Sequence, residues 1–176
     1  SVSEVKSVEK MVLAYAQRQG WMDRCCIDHI VIRQEHRQIR VLEQKEQADL
    51  EKYLLTAPSN LHIGIYLSLY TGIRLGELCA LRWEKIDLNE RQLDIHKTMM
   101  RIRDYSVDSD RKTKVVETPP KSACAVRTIP IPDFLLCLLR DRSAGMTGQE
   151  YLLTGRADQY MEPRLVEYHF QKIEKR

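Results

Sequence analysis

The sequence predicts an α+β fold, mainly helical, with a small three-stranded antiparallel sheet. Three observations carry that expectation. Apolar residues recur at helical spacing near both ends and through the first half of the chain. Leu93 and Ile95 alternate with Asp94 and His96, the period of a strand with one buried face. Two further short strand-like segments, near Lys114 to Glu117 and near Val126 to Ile131, follow within a stretch punctuated by Pro and Ser. At 176 residues the chain can bury one substantial core with a short appendage in front.

From about residue 3 to 19, Val5, Val8, Val12 and Tyr15 fall near one helical face, and Gly20 is a natural stop. Residues 21 to 42 read as a linker, without Pro or Gly and rich in charge, including Arg24, Arg33, Arg37 and Arg40. Such a segment suits a connector lying along a polyanion; a solvated connector suits it equally. Helical spacing resumes from Glu43 to Leu55 until Pro58, Ser59 and Asn60 break it. Ile63, Ile65, Leu67 and Leu69 then form an apolar run too short to span a membrane, a buried helix that Gly72 ends.

Arg74 opens a second, shorter helix in which Leu75, Leu78 and Cys79 make a core-facing stripe. Glu77, three positions on, can hold the Arg74 guanidinium in one orientation, although spacing alone fits a surface ion pair just as well. Beyond Asn89 the strands begin, with Asp104 to Arg111 as the loop between the first and second. Pro130 and Pro132 cannot donate ladder bonds and should end the third. Asp133 starts a helix through Phe134, Leu135, Leu138 and Leu139. A last helix runs from about Glu162, with Leu165, Tyr168 and Phe170 expected to pack inward.

Composition narrows the function little. Net charge is +3, with 28 basic residues nearly balanced by 25 acidic ones, which neither demands nor excludes a nucleic-acid partner. Cys25, Cys26, Cys79, Cys124 and Cys137 show no disulfide-framework spacing and no secretory leader precedes them, so the expectation is a soluble, cytoplasmic protein without a membrane partner. Cys25, Cys26, Asp28 and His29 lack a second ligand pair at zinc-finger spacing, so no metal or other cofactor is expected.

The segment Thr71, Gly72, Ile73, Arg74, Leu75, Gly76, Glu77 and Leu78, followed by Leu81, Arg82, Trp83, Ile86, Asp87 and Leu88, closely resembles the first catalytic box of the tyrosine recombinases, the phage and transposon integrase family. Downstream, Pro120, Lys121 and Ser122 and then Arg127, Thr128, Ile129, Pro130, Ile131 and Pro132 resemble the family's hairpin that carries its catalytic lysine. Val12 to Ala16 ahead of Gly20 and Trp21 is similar to the last helix of the family's core-binding domain, and Leu42 to Glu46 to the helix that opens its catalytic domain.

The resemblance implies a division into the end of a core-binding-like helical domain at 1–20, a linker at 21–42 and the N-terminal part of a catalytic domain at 43–176. It implies Arg74 and Lys121 as catalytic residues, Glu77 as their support and Arg33, Arg37, Arg40 and Arg127 as DNA-binding residues. Double-stranded DNA and recombinase protomers on DNA would be the partners. The family's chemistry uses a tyrosine that forms a transient covalent link to DNA, with no metal or ATP, and a second arginine in a His-x-x-Arg box.

That box is absent from these residues: His29, His36, His62, His96 and His169 are followed three positions on by Ile32, Ile39, Ile65, Met99 and Lys172. Tyr151, Tyr160 and Tyr168 fall too early in the family's order to be the nucleophile. The chain therefore reads as a piece of a longer recombinase, inactive alone and weakly DNA-binding. An apolar patch exposed by the missing helices would let it self-associate, which a strictly monomeric species in sedimentation across concentration would contradict. The alternative is a catalytically inactive integrase-like accessory or interaction module that keeps Arg74 and Glu77 as a structural pair.

Overall fold

The computed structural model describes residues 2–23, 40–106 and 112–174. The chain divides into two compact units, Ser1–Val41 and Leu42–Arg176. The first contains helix α1 (Val2–Arg18), none of whose residues is buried; Val5, Val8, Val12 and Tyr15 all lie exposed. Gly20 follows it at φ +71°, consistent with the expected stop.

The second unit opens with α2 (Gln44–Thr56), whose Glu46 carboxylate accepts from the Glu43 backbone N–H at 3.0 Å, closing a capping box. Helix α3 (Asn60–Thr71) starts where Ser59 accepts from the His62 N–H at 3.1 Å and stops where Gly72, at φ +62°, donates to the Ser68 carbonyl. Ile63, Ile65, Tyr66 and Leu67 are buried in it, as the apolar run implied. Helix α4 (Leu75–Ala80) follows at once, and a 3₁₀ turn (Trp83–Lys85) leads to strand β1 (Ile86–Asp87).

The strands that follow are β2 (Gln92–Ile95), β3 (Thr98–Arg103), β4 (Thr113–Thr118) and β5 (Arg127–Pro130), with a second 3₁₀ turn (Ala123–Ala125) before β5. Helices α5 (Asp133–Ser143) and α6 (Pro163–Glu174) complete the unit. The mixed α+β class with a small antiparallel sheet is as expected. Strand assignment differs in detail. The three-stranded sheet has order β1-β2-β5, while the segment around Lys114 pairs with β3 in a separate two-stranded ribbon. Only Met99 of β3 is buried, so β3 itself carries almost no alternating apolar signal to read, while β4 falls where a strand is expected. Its turn includes residues 107–111, which lie outside the described residues.

Leu93 and Ile95 point from β2 into the core, opposite Ile129 and Arg127 of β5, and Thr128 donates to Asp94 at 2.9 Å on the other face. Leu54, Leu67, Leu78, Leu135, Leu139 and Leu152 complete the fully buried centre. Strand β5 ends at Pro130, as its missing N–H requires.

The inward face of α6 is a correction. Val166 is buried and Phe170 and Ile173 pack partly against the core, whereas Leu165 and Tyr168 are exposed. The apolar residues of this short helix offer two competing faces, and the i, i+4, i+7 set is the one that meets α3 and α4. An apolar groove of about 300 Å³ remains there, lined by Ile65, Leu69, Ile73, Leu75, Val166 and Phe170 among others. Among the described residues, no helix is long and apolar enough to cross a membrane, and no group of three metal-ligating side chains occurs. Cys25, Cys26, Asp28 and His29 lie outside the described residues.

Candidate active site

Gly72 turns the chain out of α3, Ile73 is buried as a plug, and Arg74 follows in extended backbone (φ −70°, ψ 147°) as the N-cap of α4. The next residue but one, Gly76, explains how tightly this corner is built. A Cβ there would lie 2.6 Å from both the Met99 carbonyl oxygen and the Thr98 hydroxyl of β3. The first turn of α4 is therefore pressed against the strand backbone, which only a residue without a side chain permits.

Glu77, at the third helical position, reaches back to the start of its own helix. Its Oε2 accepts from the Arg74 backbone N–H at 3.0 Å, and its Oε1 accepts from Arg74 Nη1 at 2.9 Å. The orientation that spacing suggested is present. A second arginine completes the arrangement: Arg127, first residue of β5, donates from Nη1 to Oε1 at 2.9 Å and from Nη2 to Oε2 at 2.8 Å. Both oxygens thus accept twice, which fills a carboxylate's ordinary capacity.

Exposure separates the three side chains. Glu77 is 3% exposed, Arg127 29% and Arg74 69%. Burial alone would push the Glu77 carboxyl up, but the hydrogen bonds from Arg127 and Arg74 and the Arg127 charge bring it down to about 2 from 4.5. Glu77 is therefore ionised at neutral pH, and its bond raises the Arg127 guanidinium still further. One anion against two cations leaves the cluster positive. The excess charge is presented by Arg74, which commits a single side-chain N–H to Glu77 and makes no further side-chain hydrogen bond among the described residues.

Lys121 is exposed in the turn between β4 and the second 3₁₀ turn. Two tethers keep that turn beside α4. Thr118, which ends β4, is paired with Thr98, the residue lying against Gly76; three residues of chain from Thr118 reach at most about 10 Å. On the far side, Arg127 Nη1 also donates to the Ala125 carbonyl at 3.2 Å, joining the turn to the guanidinium that grips Glu77. Arg40 is exposed in the first unit, while Arg33 and Arg37 lie outside the described residues.

From the sequence Arg127 is expected only as a DNA-binding residue, and its bidentate pairing with Glu77 is not legible there. No periodic signal connects residues fifty positions apart.

No family model matches the chain. It is 33% identical over 75 residues to the tyrosine recombinase XerC-like protein of Caldanaerobacter subterraneus subsp. tengcongensis, a match covering 43% of this chain and 19% of that protein. It is 34% identical over 99 residues to the prophage ps2 probable integrase of Lactococcus lactis subsp. lactis, covering 54% of this chain and 24% of that protein. The matches thus span about a quarter or less of these curated relatives. Among solved structures, the Tn1549 transposon integrase in complex with a circular intermediate DNA superposes with a TM-score of 0.72 at 15% identity, over 98% of this chain and 56% of that one. The same integrase in complex with transposon right end DNA gives 0.68 at 16% identity, over 97% and 58%.

Proposed function

We propose that this chain, homologous over its matched part to the tyrosine recombinases and phage integrases, supplies half of the active site of a site-specific DNA strand transferase. The complete protein would cleave and rejoin DNA through a covalent phosphotyrosyl intermediate, with the tyrosine and the second arginine supplied from outside these residues. The observation that carries this reading is the Arg74 guanidinium, anchored on a buried carboxylate yet exposed and bearing the cluster's excess positive charge.

Attack on a DNA phosphodiester places further negative charge on the non-bridging oxygens. A planar guanidinium matches two such oxygens and cannot lose its proton. Arg74 would meet that charge without reorganising, because its backbone and one Nη are already fixed by Glu77; loss of one such preorganised donor typically costs about 3 to 4 kcal/mol of barrier. Lys121, on an exposed turn tethered to the same corner, would protonate the leaving 5′ oxygen as general acid. The retained phosphoester energy makes a metal or nucleotide cofactor unnecessary.

The partner is double-stranded DNA, on which several protomers would assemble. For this chain alone, with Arg33, Arg37 and Arg40 contributing, binding should be weak, salt-sensitive and largely indifferent to sequence, because phosphate contacts set affinity while base contacts set choice of site. The decisive experiment uses the complete protein on a nicked duplex that traps the covalent intermediate. A protein-DNA adduct that disappears in Arg74→Ala supports the assignment, and an undiminished adduct removes it. No adduct from the unsubstituted protein would instead favour the accessory reading, in which Arg74, Glu77 and Arg127 are a structural cluster.

A further inference from the structure

Arg127 has two sets of partners in the same corner of the molecule. Its two terminal nitrogens hold both oxygens of Glu77, and Nη1 also binds the carbonyl of Ala125 in the turn that follows Lys121. Glu77 in turn holds Arg74 by backbone and side chain. We propose that Arg127 is a positioning residue rather than a DNA contact: it fixes Arg74 through Glu77, fixes the Lys121 turn through Ala125, and cancels the Glu77 charge so that the charge on Arg74 stays available to phosphate. The last of these functions rests on the reading of Arg74 given above.

The physical case begins with the carboxylate. Without Arg127, a buried anion would keep only its bonds to Arg74 and would neutralise that guanidinium one for one. The cluster would lose its excess charge at the point where a phosphate is to be met, although Arg127 itself never touched the phosphate. Lysine cannot replace it fully, since a point charge does not span both carboxylate oxygens and the Ala125 carbonyl in one planar fork. Three of the five Arg127 N–H groups are engaged by Glu77 and Ala125, and the side chain is less than half as exposed as that of Arg74.

The first measurement needs no DNA. The Nε–Hε resonance of Arg74, assigned by its loss in Arg74→Lys, is followed in this chain from pH 7 to pH 4. The unsubstituted chain should show no titration assignable to Glu77, whereas Arg127→Gln should show one, because the carboxyl loses the bonds that hold its proton affinity down. Other ionisable groups bordering Glu77 are Arg82, Glu84 and Lys85, together with Asp94, His96 and Lys97. The part of the response that vanishes when Glu77→Gln is added to Arg127→Gln is the part due to Glu77. An Arg74 signal that responds identically with and without Arg127 overturns the proposal.

The second measurement is affinity for a random-sequence duplex against salt. Arg127→Gln should weaken binding about three- to tenfold at low salt and lower the salt slope by up to about 0.9, and adding Glu77→Gln should restore the slope and bring affinity back to within about twofold. A loss of affinity and slope that Glu77→Gln does not restore would mean that Arg127 neutralises a phosphate directly, and would overturn the proposal. Should Arg127→Gln fail to fold, Arg127→Lys carries the first test: a partial Glu77 titration at Arg74 is expected, and none would overturn the proposal. If the unsubstituted chain shows no salt-dependent DNA binding, the phosphate reading of Arg74 falls, while the resonance still decides whether Arg127 positions it.

Discussion

Glu77 should make the stability of this chain unusually sensitive to acid, and replacing it with glutamine isolates the effect. Its carboxyl is buried and held at about 2, against an ordinary 4.5. That difference, at about 1.4 kcal/mol for each tenfold change in proton affinity, corresponds to about 3 kcal/mol. The sign follows from the folded state binding the proton more weakly than the unfolded one. The contribution is fully present above about pH 4.5 and is lost as pH falls towards 2. Glu77→Gln removes the titrating group while keeping its shape, leaving the other carboxyls to act alike in both chains. Urea unfolding at a series of pH values would give the stability of each. The advantage of the unsubstituted chain over Glu77→Gln should shrink by about 3 kcal/mol between pH 6 and pH 2. Two stability profiles that stay parallel over that interval would refute the claim that Glu77 is an ionised, doubly clamped carboxylate.

Gly76→Ala poses two effects of opposite sign: alanine would favour the helix by about 1 kcal/mol, but its methyl would meet the β3 backbone at 2.6 Å. Steric overlap should win, with a net loss of about 1 to 3 kcal/mol in urea unfolding; a stabilised variant would show that α4 and β3 are not in close contact. On α6, Val166→Ala should cost about 2 kcal/mol because the residue is buried. Leu165→Ala, on the exposed side, should stay within about 0.5 kcal/mol; equal losses in the same unfolding assay would restore the other face as the packed one.

Much of this molecule is readable from neighbouring residues because the forces involved are themselves local. Ser59 and Gly72 mark the limits of α3 since capping depends on side chains and backbone angles within one turn. Leu93 and Ile95 declare their strand through alternation. Arg74 and Glu77 are three positions apart on one helix end, so their contact follows from helical geometry. The α6 face shows where such reading stops. Leu165 and Val166 are adjacent and similarly apolar, and the groove beside α3 and α4 selects Val166.

The pairing of Arg127 with Glu77 belongs wholly to the assembled fold. It needs β5 to lie antiparallel to β2, with Arg127 opposite Ile95, and it needs Gly76 to let α4 settle on β3. Neither condition leaves a periodic trace, because contacts between distant segments depend on how elements pack rather than on spacing along the chain. Amino-acid order thus specified a cation at a helix start with an anion beside it. Packing buried the anion, brought it a second cation, and thereby left the first one charged and facing outward.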